Sequence, residues 1–444
     1  MKVRDVILKP ATTLSEMRSV FRYFPLDTDQ LSTFYVDDSK ARGGAILRSL
    51  ELSFSPYANE FCKVLYLGHP GSGKSTGLYQ LEKKLQARYR VIRYSVQELL
   101  DINSITLVDL LYSMYSVVFN RYANDSNINK SLYEDVYKRW YSVISTEQEN
   151  STEATIDAEG GITLGLKALF VSVQNILKTG SVRREHIYDE VSRNIAEYIK
   201  LFNRLIEAFT EPLDKPIVLL VEDLEKARDE EKIKNLFIGQ GTYFRDINVN
   251  LLLTAPVYLR YMNEYTDIIC SNFTGIQICP MLKIRNRDGS NYDDGIDIVK
   301  EIVRKRIDDM HQDLIQNDLL VRIIISTGGV LRDTFQVLYT AALKAEERYN
   351  DAITNDDAQY ALNNLKSDYF YTLHEQDLAV IKEVHRDPNT PIRDSDRYRS
   401  LIKSGALLEY IDENGARWTA VHPMVIEILQ DSGALGENND TSTN

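Results

Sequence analysis

Residues 68 to 76 read Gly-His-Pro-Gly-Ser-Gly-Lys-Ser-Thr, a glycine followed after four residues by Gly73-Lys74-Ser75. These types at this spacing suit one chemistry. Glycines let backbone N–H groups turn inward around phosphate oxygens, Lys74 reaches the β- and γ-phosphates, and the Ser75 hydroxyl ligates Mg²⁺. Gly68, His69, Pro70, Gly71, Ser72, Gly73, Lys74, Ser75 and Thr76 are therefore the candidate nucleotide-binding residues, with ATP and Mg²⁺ the expected ligands. A helix starting near Ser75 would add its positive dipole end. The flanks agree with this, since Val64 to Leu67 is a strand-like apolar run and Leu78 to Leu85 reads as helix.

A second cluster, Glu222-Asp223-Leu224-Glu225, follows the continuously apolar run Ile217 to Val221. Such a run marks a strand covered on both faces in a parallel sheet, and acids at the carboxyl edge of that sheet face the ligand crevice. One carboxylate can hold Mg²⁺ and another can polarise the attacking water. Glu222 is assigned to the metal and Asp223 to the water, an order that could be reversed. Thr254 closes the strand Asn248 to Thr254, where its hydroxyl either senses the γ-phosphate and positions water or simply ends the strand before Pro256. Arg332, after Gly328-Gly329, is read as a sensor that folds back onto the phosphates, the double glycine allowing close backbone approach.

The elements that must position these residues alternate between β and α. Arg90 to Val96 reads as a second strand, Gly275 to Cys279 as a further one, and Ile102 to Tyr122 as a helix with Leu107, Leu110, Leu111, Met114 and Val118 on its inner face. A helical insertion is expected around 123–182, with the polar stretch Ser145 to Gly161 as an exposed loop. Arg183 to Thr210 reads as one long amphipathic helix, stopped by Pro212 and Pro216. The expected divisions are an N-terminal strap (1–60), the nucleotide-binding core (61–285), a helical lid (286–368), a C-terminal unit (369–430) and a disordered tail (431–444). In the C-terminal unit, helices at Asp377 to Val384 and Asp396 to Ser404 precede a hairpin turning at Asn414-Gly415. That pattern resembles a winged helix. Arg393, Arg397, Arg399 and Lys403 put positive charge beside its second helix, but Asp394, Asp396, Glu409, Asp412 and Glu413 interleave with it, which favours protein docking over DNA reading.

With 444 residues, the chain has room for two or three compact units. A net charge of −13 argues against a whole-surface nucleic-acid footprint. Cys62, Cys270 and Cys279 lack zinc or disulfide spacing and read as buried thiols in a reducing compartment. Met1 to Leu26 has no uninterrupted apolar core, and no window reaches the length of a membrane span, so the expected location is cytoplasmic, away from membranes. The six histidines form no HxH or HExxH arrangement, which leaves any effector chemistry to a partner.

The order of Gly68 to Ser75, Glu222 to Glu225, Thr254 and Gly329 to Arg332 resembles the AAA+ and STAND branches of the phosphate-loop ATPases. Phe34 to Gly43, Leu236-Phe237-Ile238 to Thr254-Ala255-Pro256 and Pro280-Met281-Leu282-Lys283 are similar to a bacterial subgroup known as ATP-binding proteins. The resemblance spans roughly residues 30 to 345, and it departs at Glu222, where the group has Asp. It implies a three-layer α/β core with a parallel sheet, a helical lid and a C-terminal winged-helix-like domain. It also implies an ATP-hydrolysing homo-oligomeric switch that controls a protein effector, with bacterial antiviral defence as the setting. Arg245, at the end of the helix before the Thr254 strand, would act in trans on a neighbouring subunit's nucleotide. The alternative is a DNA-binding AAA+ ATPase that regulates replication or transposition through its winged helix, with nucleic acid as the partner.

Overall fold

The computed structural model describes residues 9–22, 26, 28–54, 60–123, 130–144, 161–179, 182–211, 215–388 and 395–434. Five strands form one parallel sheet: β1 (Lys63–Gly68), β2 (Arg90–Ser95), β3 (Ile217–Glu222), β4 (Asn250–Pro256) and β5 (Gly275–Cys279), in the spatial order β2-β3-β4-β1-β5. Strand residues alternate between faces, and the cores sort by that parity. Val64, Tyr66, Val218, Leu220 and Leu252 pack with Leu78, Leu81 and Leu85 of the helix Lys74–Leu85. Leu65, Leu67, Leu219, Val221, Leu251 and Leu253 pack on the opposite side with the helix Leu107–Tyr122. Two covered faces make a three-layer α/β core and account for the unbroken apolar run of β3.

Order and register position the chemistry. β4 lies between β1 and β3, with Thr254 beside Tyr66, so the phosphate loop after β1 and the acids after β3 flank the end of β4. The ligand crevice of such a sheet opens at these carboxyl ends.

Within the expected insertion, Lys130–Tyr141 is a helix that buries Leu132, Tyr133, Val136 and Trp140, although the stretch as a whole reads as polar. Gly161 begins the next helix, Gly161–Thr179, and the rest of the loop expected from Ser145 lies outside the described residues. Aromatic contacts bind these helices together. Trp140 lies 5.5 Å from Tyr115 and 5.0 Å from Tyr198 between ring centres, and the hydroxyls of Tyr112 and Tyr115 donate to the carbonyls of Phe170 and Tyr198. Tyr112 and Tyr115 are core residues with a satisfied polar end. The single helix expected over Arg183 to Thr210 is broken at Asn194 into Val182–Arg193 and Ile195–Thr210. The Asn194 side chain donates back to the Glu190 carbonyl at 3.0 Å, a local bond that competes with helix continuation. Cys62 and Cys279 are buried but Cys270 is exposed, which corrects the reading of three buried thiols.

The lid comprises the helices Asp293–Arg304, Asn317–Ser326, Leu331–Glu347 and Asn355–Thr372. The C-terminal unit comprises the helices Leu378–Arg386 and Asp396–Ser404, the antiparallel hairpin β6 (Leu407–Ile411) and β7 (Arg417–Val421), and the helix Pro423–Asp431. Helix, helix and hairpin give the winged arrangement. Of the expected tail, Asp431 ends that last helix and 435–444 lie outside the described residues. No helix among the described residues is long and apolar enough to cross a membrane.

Candidate nucleotide-binding site

The loop between β1 and the helix Lys74–Leu85 takes its shape from two glycines. Gly71 and Gly73 sit at φ +82° and +93°, a region that favours glycine, and the Ser72 N–H donates to the His69 carbonyl at 3.3 Å. Lys74 is buried. Its ammonium donates to the carbonyls of Gly68 at 3.2 Å and His69 at 2.8 Å and lies 3.3 Å from Glu225 Oε1. The third acid of the cluster thus meets the phosphate-loop lysine, a pairing the sequence did not assign. The other Glu225 oxygen, Oε2, is buried with no hydrogen-bond partner among the described residues.

Glu222 ends β3 and accepts from Arg93 of β2, whose guanidinium also bonds Glu82 at 2.7 Å and stacks 3.3 Å over the Tyr79 ring. Burial pushes the Glu222 carboxyl up to about 7, against the opposing pull of Arg93 and, more weakly, of Ser75. No group of three or more His, Cys, Asp or Glu able to hold a metal occurs among the described residues. A cation here would complete its shell with phosphate oxygens and waters, as Mg²⁺ does.

Asp223 has φ +78° and turns aside. Its carboxylate accepts from the Ser95 hydroxyl and pairs with Lys226 at 2.7 Å. Thr254 Oγ1 is buried with no hydrogen-bond partner among the described residues. Arg332 opens the helix Leu331–Glu347 and lies against the loop: a Cβ on Gly71 would sit 3.0 Å from its Nε. The glycines before it serve a different approach from the one expected. A Cβ on Gly329 would lie 2.1 Å from the Leu282 carbonyl oxygen, and one on Gly328 2.8 Å from Pro423 Cδ, so they admit the core and the last helix rather than phosphate. Arg245 is exposed on the short helix Tyr243–Asp246, and neither it nor Glu222, Asp223 or Thr254 lines the cavity described next.

A cavity of about 420 Å³ is lined by Gly71, Gly73, Lys74, Ser75, Thr76, Glu225 and Arg332, and by Leu26, Phe34, Tyr35, Val36 and Phe335 among others. Arg42, which sequence reasoning passed over as part of the strap, holds its wall. The buried guanidinium donates to the Ser72 carbonyl at 2.6 Å, to Asp38 at 2.6 Å, to the Pro280 carbonyl, and to Cys279 Sγ at 3.3 Å. The one sequence signal is Asp38 four residues before Arg42, an ion pair closed over a short turn.

The loop also touches the winged unit. The Glu409 N–H of β6 donates to His69 Nε2 at 3.1 Å, and the Glu409 carboxylate accepts from Arg417 at 2.8 Å, Arg260 at 3.2 Å and Tyr261. Burial first, and Lys74 next to it, push His69 down to about 4 against the Glu409 charge. The basic residues of the second winged helix are already engaged. Arg397 pairs with Gln376 and Asp377, Arg399 with Asp396 and Glu230, and Lys403 donates to the Arg228 carbonyl at 2.5 Å. Arg393 and Asp394 lie outside the described residues.

No protein-family model and no curated protein sequence matches the chain. Among solved structures it is similar to the Aeropyrum pernix ORC1 protein in complex with DNA, at 12% identity and TM-score 0.40 over 93% of this chain and 96% of that one. It is similar to Cdc6p from Pyrobaculum aerophilum, at 12% and 0.37 over 93% and 98%. The ADPNP–ADP complexes of A. pernix ORC2 match at 12% and 0.42 over 94% and 98%. Similarity of this degree leaves the role of each residue to the geometry above.

Proposed function

We propose that the protein is a Mg²⁺-dependent ATPase of the AAA+/STAND kind that works as an oligomeric switch. The observation that carries this reading is the convergence of Lys74, Glu225 and Arg332 on one cavity at the carboxyl edge of the sheet. Lys74 would leave Glu225 for the β/γ-phosphates, and Arg332 would close the lid side of the same charge. Ser75 and Glu222 would hold Mg²⁺, which when bound neutralises charge on the phosphates. Asp223, once it leaves Ser95 and Lys226, would polarise the attacking water, and the Thr254 hydroxyl, without a partner among the described residues, would orient it.

The switch output is the winged unit, because a residue of the phosphate loop itself, His69, contacts β6. The effector partner and an antiviral setting rest on the family resemblance alone. Assembly is tested by mass photometry with and without a slowly hydrolysed ATP analogue: growth of a larger species with the analogue supports the switch. Arg245→Ala is expected to keep ATP binding and lose turnover. Mixing it with Asp223→Asn should restore part of the activity, since some sites then combine an intact Asp223 with a neighbour's Arg245. Absence of rescue together with a single mass at all concentrations leaves a monomeric ATPase.

The helix, helix and hairpin order of 378–421 carries a second reading, a DNA-regulating ATPase. DNA contact through Arg397, Arg399 and Lys403 would require them to leave their present partners. Duplex binding by the full chain whose affinity falls steeply with salt, and which is lost in Arg397→Ala/Lys403→Ala, would favour this reading over protein docking.

A further inference from the structure

Arg306 follows the lid helix Asp293–Arg304 and is only 6% exposed, yet it lines the nucleotide cavity. A guanidinium carries five N–H donors and no acceptor. Among the described residues Arg306 makes one side-chain hydrogen bond, from Nη1 to the Ile302 carbonyl at 2.6 Å, and no ion pair. Its guanidinium carbon lies 4.7 Å from the centre of the Phe335 ring and 5.5 Å from that of Phe34. Burial alone pulls its pKa down to about 10, so the group is still charged at neutral pH. Buried charges are ordinarily paired. The rings offset part of the desolvation cost, but they accept few of the remaining donors.

The surroundings say what would complete the pairing. Lys74 and Arg332 line the same cavity, while Arg306 lies against the Phe34 and Phe335 rings, which with Leu26, Val36 and Ile302 give the lining an apolar and aromatic part suited to a flat ring. A purine offers ring-nitrogen acceptors along its edge and a π-face above it. We propose that Arg306 is a specificity residue for the nucleoside end of the ligand, donating to acceptor atoms of a purine base held between the strap and the lid. This rests on the nucleotide reading of the loop.

The test separates the two claims. Binding of MgATP and of magnesium triphosphate, which has the phosphates and no nucleoside, is measured calorimetrically for the full-length wild type, Arg306→Met, Arg306→Lys and Lys74→Ala. The proposal expects Arg306→Met to weaken ATP binding about tenfold or more, as the loss of a buried charged donor does, with triphosphate binding within about twofold of wild type. Arg306→Lys, which keeps the charge and loses the planar fork, should show the same split to a smaller degree and stands in if the methionine variant does not fold. Equal loss of both ligands, or no loss of either, in the folded variants overturns the assignment of Arg306. Failure of the wild type to bind either ligand, or Lys74→Ala binding both unchanged, overturns the nucleotide site instead.

Discussion

Lys74 Nζ and Glu225 Oε1 lie 3.3 Å apart, both nearly fully buried, so the phosphate-loop lysine is neutralised by the protein's own carboxylate. A triphosphate must compete with that carboxylate. Glu225→Gln removes the competing charge and leaves the side-chain shape. The expected result is MgATP binding tightened by several-fold in a titration, because a repulsive carboxylate is also taken from the phosphate side. Weaker binding in the folded variant would mean that Glu225 contributes to holding the ligand rather than to keeping Lys74 in reserve.

Glu222 gives the site a pH signature. Its carboxyl is raised from the usual 4.5 to about 7, chiefly by burial, so near neutral pH an appreciable fraction is protonated and unable to ligate a cation. The sign follows directly. Mg²⁺-dependent ATP affinity should rise as pH increases from 6 to 8, by up to about tenfold per unit below the pKa. Glu222→Gln should weaken Mg²⁺-dependent binding and flatten that profile. If Asp223→Asn flattens it and Glu222→Gln does not, the metal ligand is Asp223.

Asp223 is held aside by Ser95 and Lys226. Asp223→Asn should keep ATP binding and lose hydrolysis, since an amide cannot polarise water as a carboxylate does. Ser95→Ala frees the carboxylate to rotate, and the expected effect is faster phosphate release at unchanged ATP affinity. A Ser95→Ala variant slower than wild type would show that the hydroxyl contributes directly to turnover.

His69 connects the loop to β6 through an unprotonated Nε2. Its folded pKa, about 4, is below the ordinary 6.5, so stability from this contact is complete above pH 6.5 and is lost as pH falls toward 4. Thermal unfolding of the wild type should lose more Tm between pH 7 and 5 than that of His69→Asn, whose amide oxygen accepts the Glu409 N–H without titrating. Parallel pH profiles would count against His69 as the contact that matters.

The parallel sheet was legible because β1 and β3 are unbroken apolar runs, and the loop because glycine and lysine spacing follows directly from wrapping phosphate. The helix Asp396–Ser404 was visible through the spacing of Tyr398, Leu401 and Ile402, which the structure buries, and the hairpin through Asn414-Gly415. What stayed hidden depends on contacts distant in sequence. Glu225 and Lys74 lie 151 positions apart in the chain, Arg42 meets Pro280 and Ser72, and His69 meets Glu409, none of which a local pattern encodes. Asn194 was missed because its side chain, rather than the apolar period, ends the helix.

Calorimetric titration of MgATP into the full chain and into Lys74→Ala decides whether this loop binds a nucleoside triphosphate. One ATP per chain is expected for the wild type, with binding weakened by at least about 100-fold in the variant, on the scale of about 2.7 kcal/mol or more for a lost charge-assisted contact to phosphate. A folded Lys74→Ala chain that binds and hydrolyses ATP as the wild type does would contradict this role of the loop.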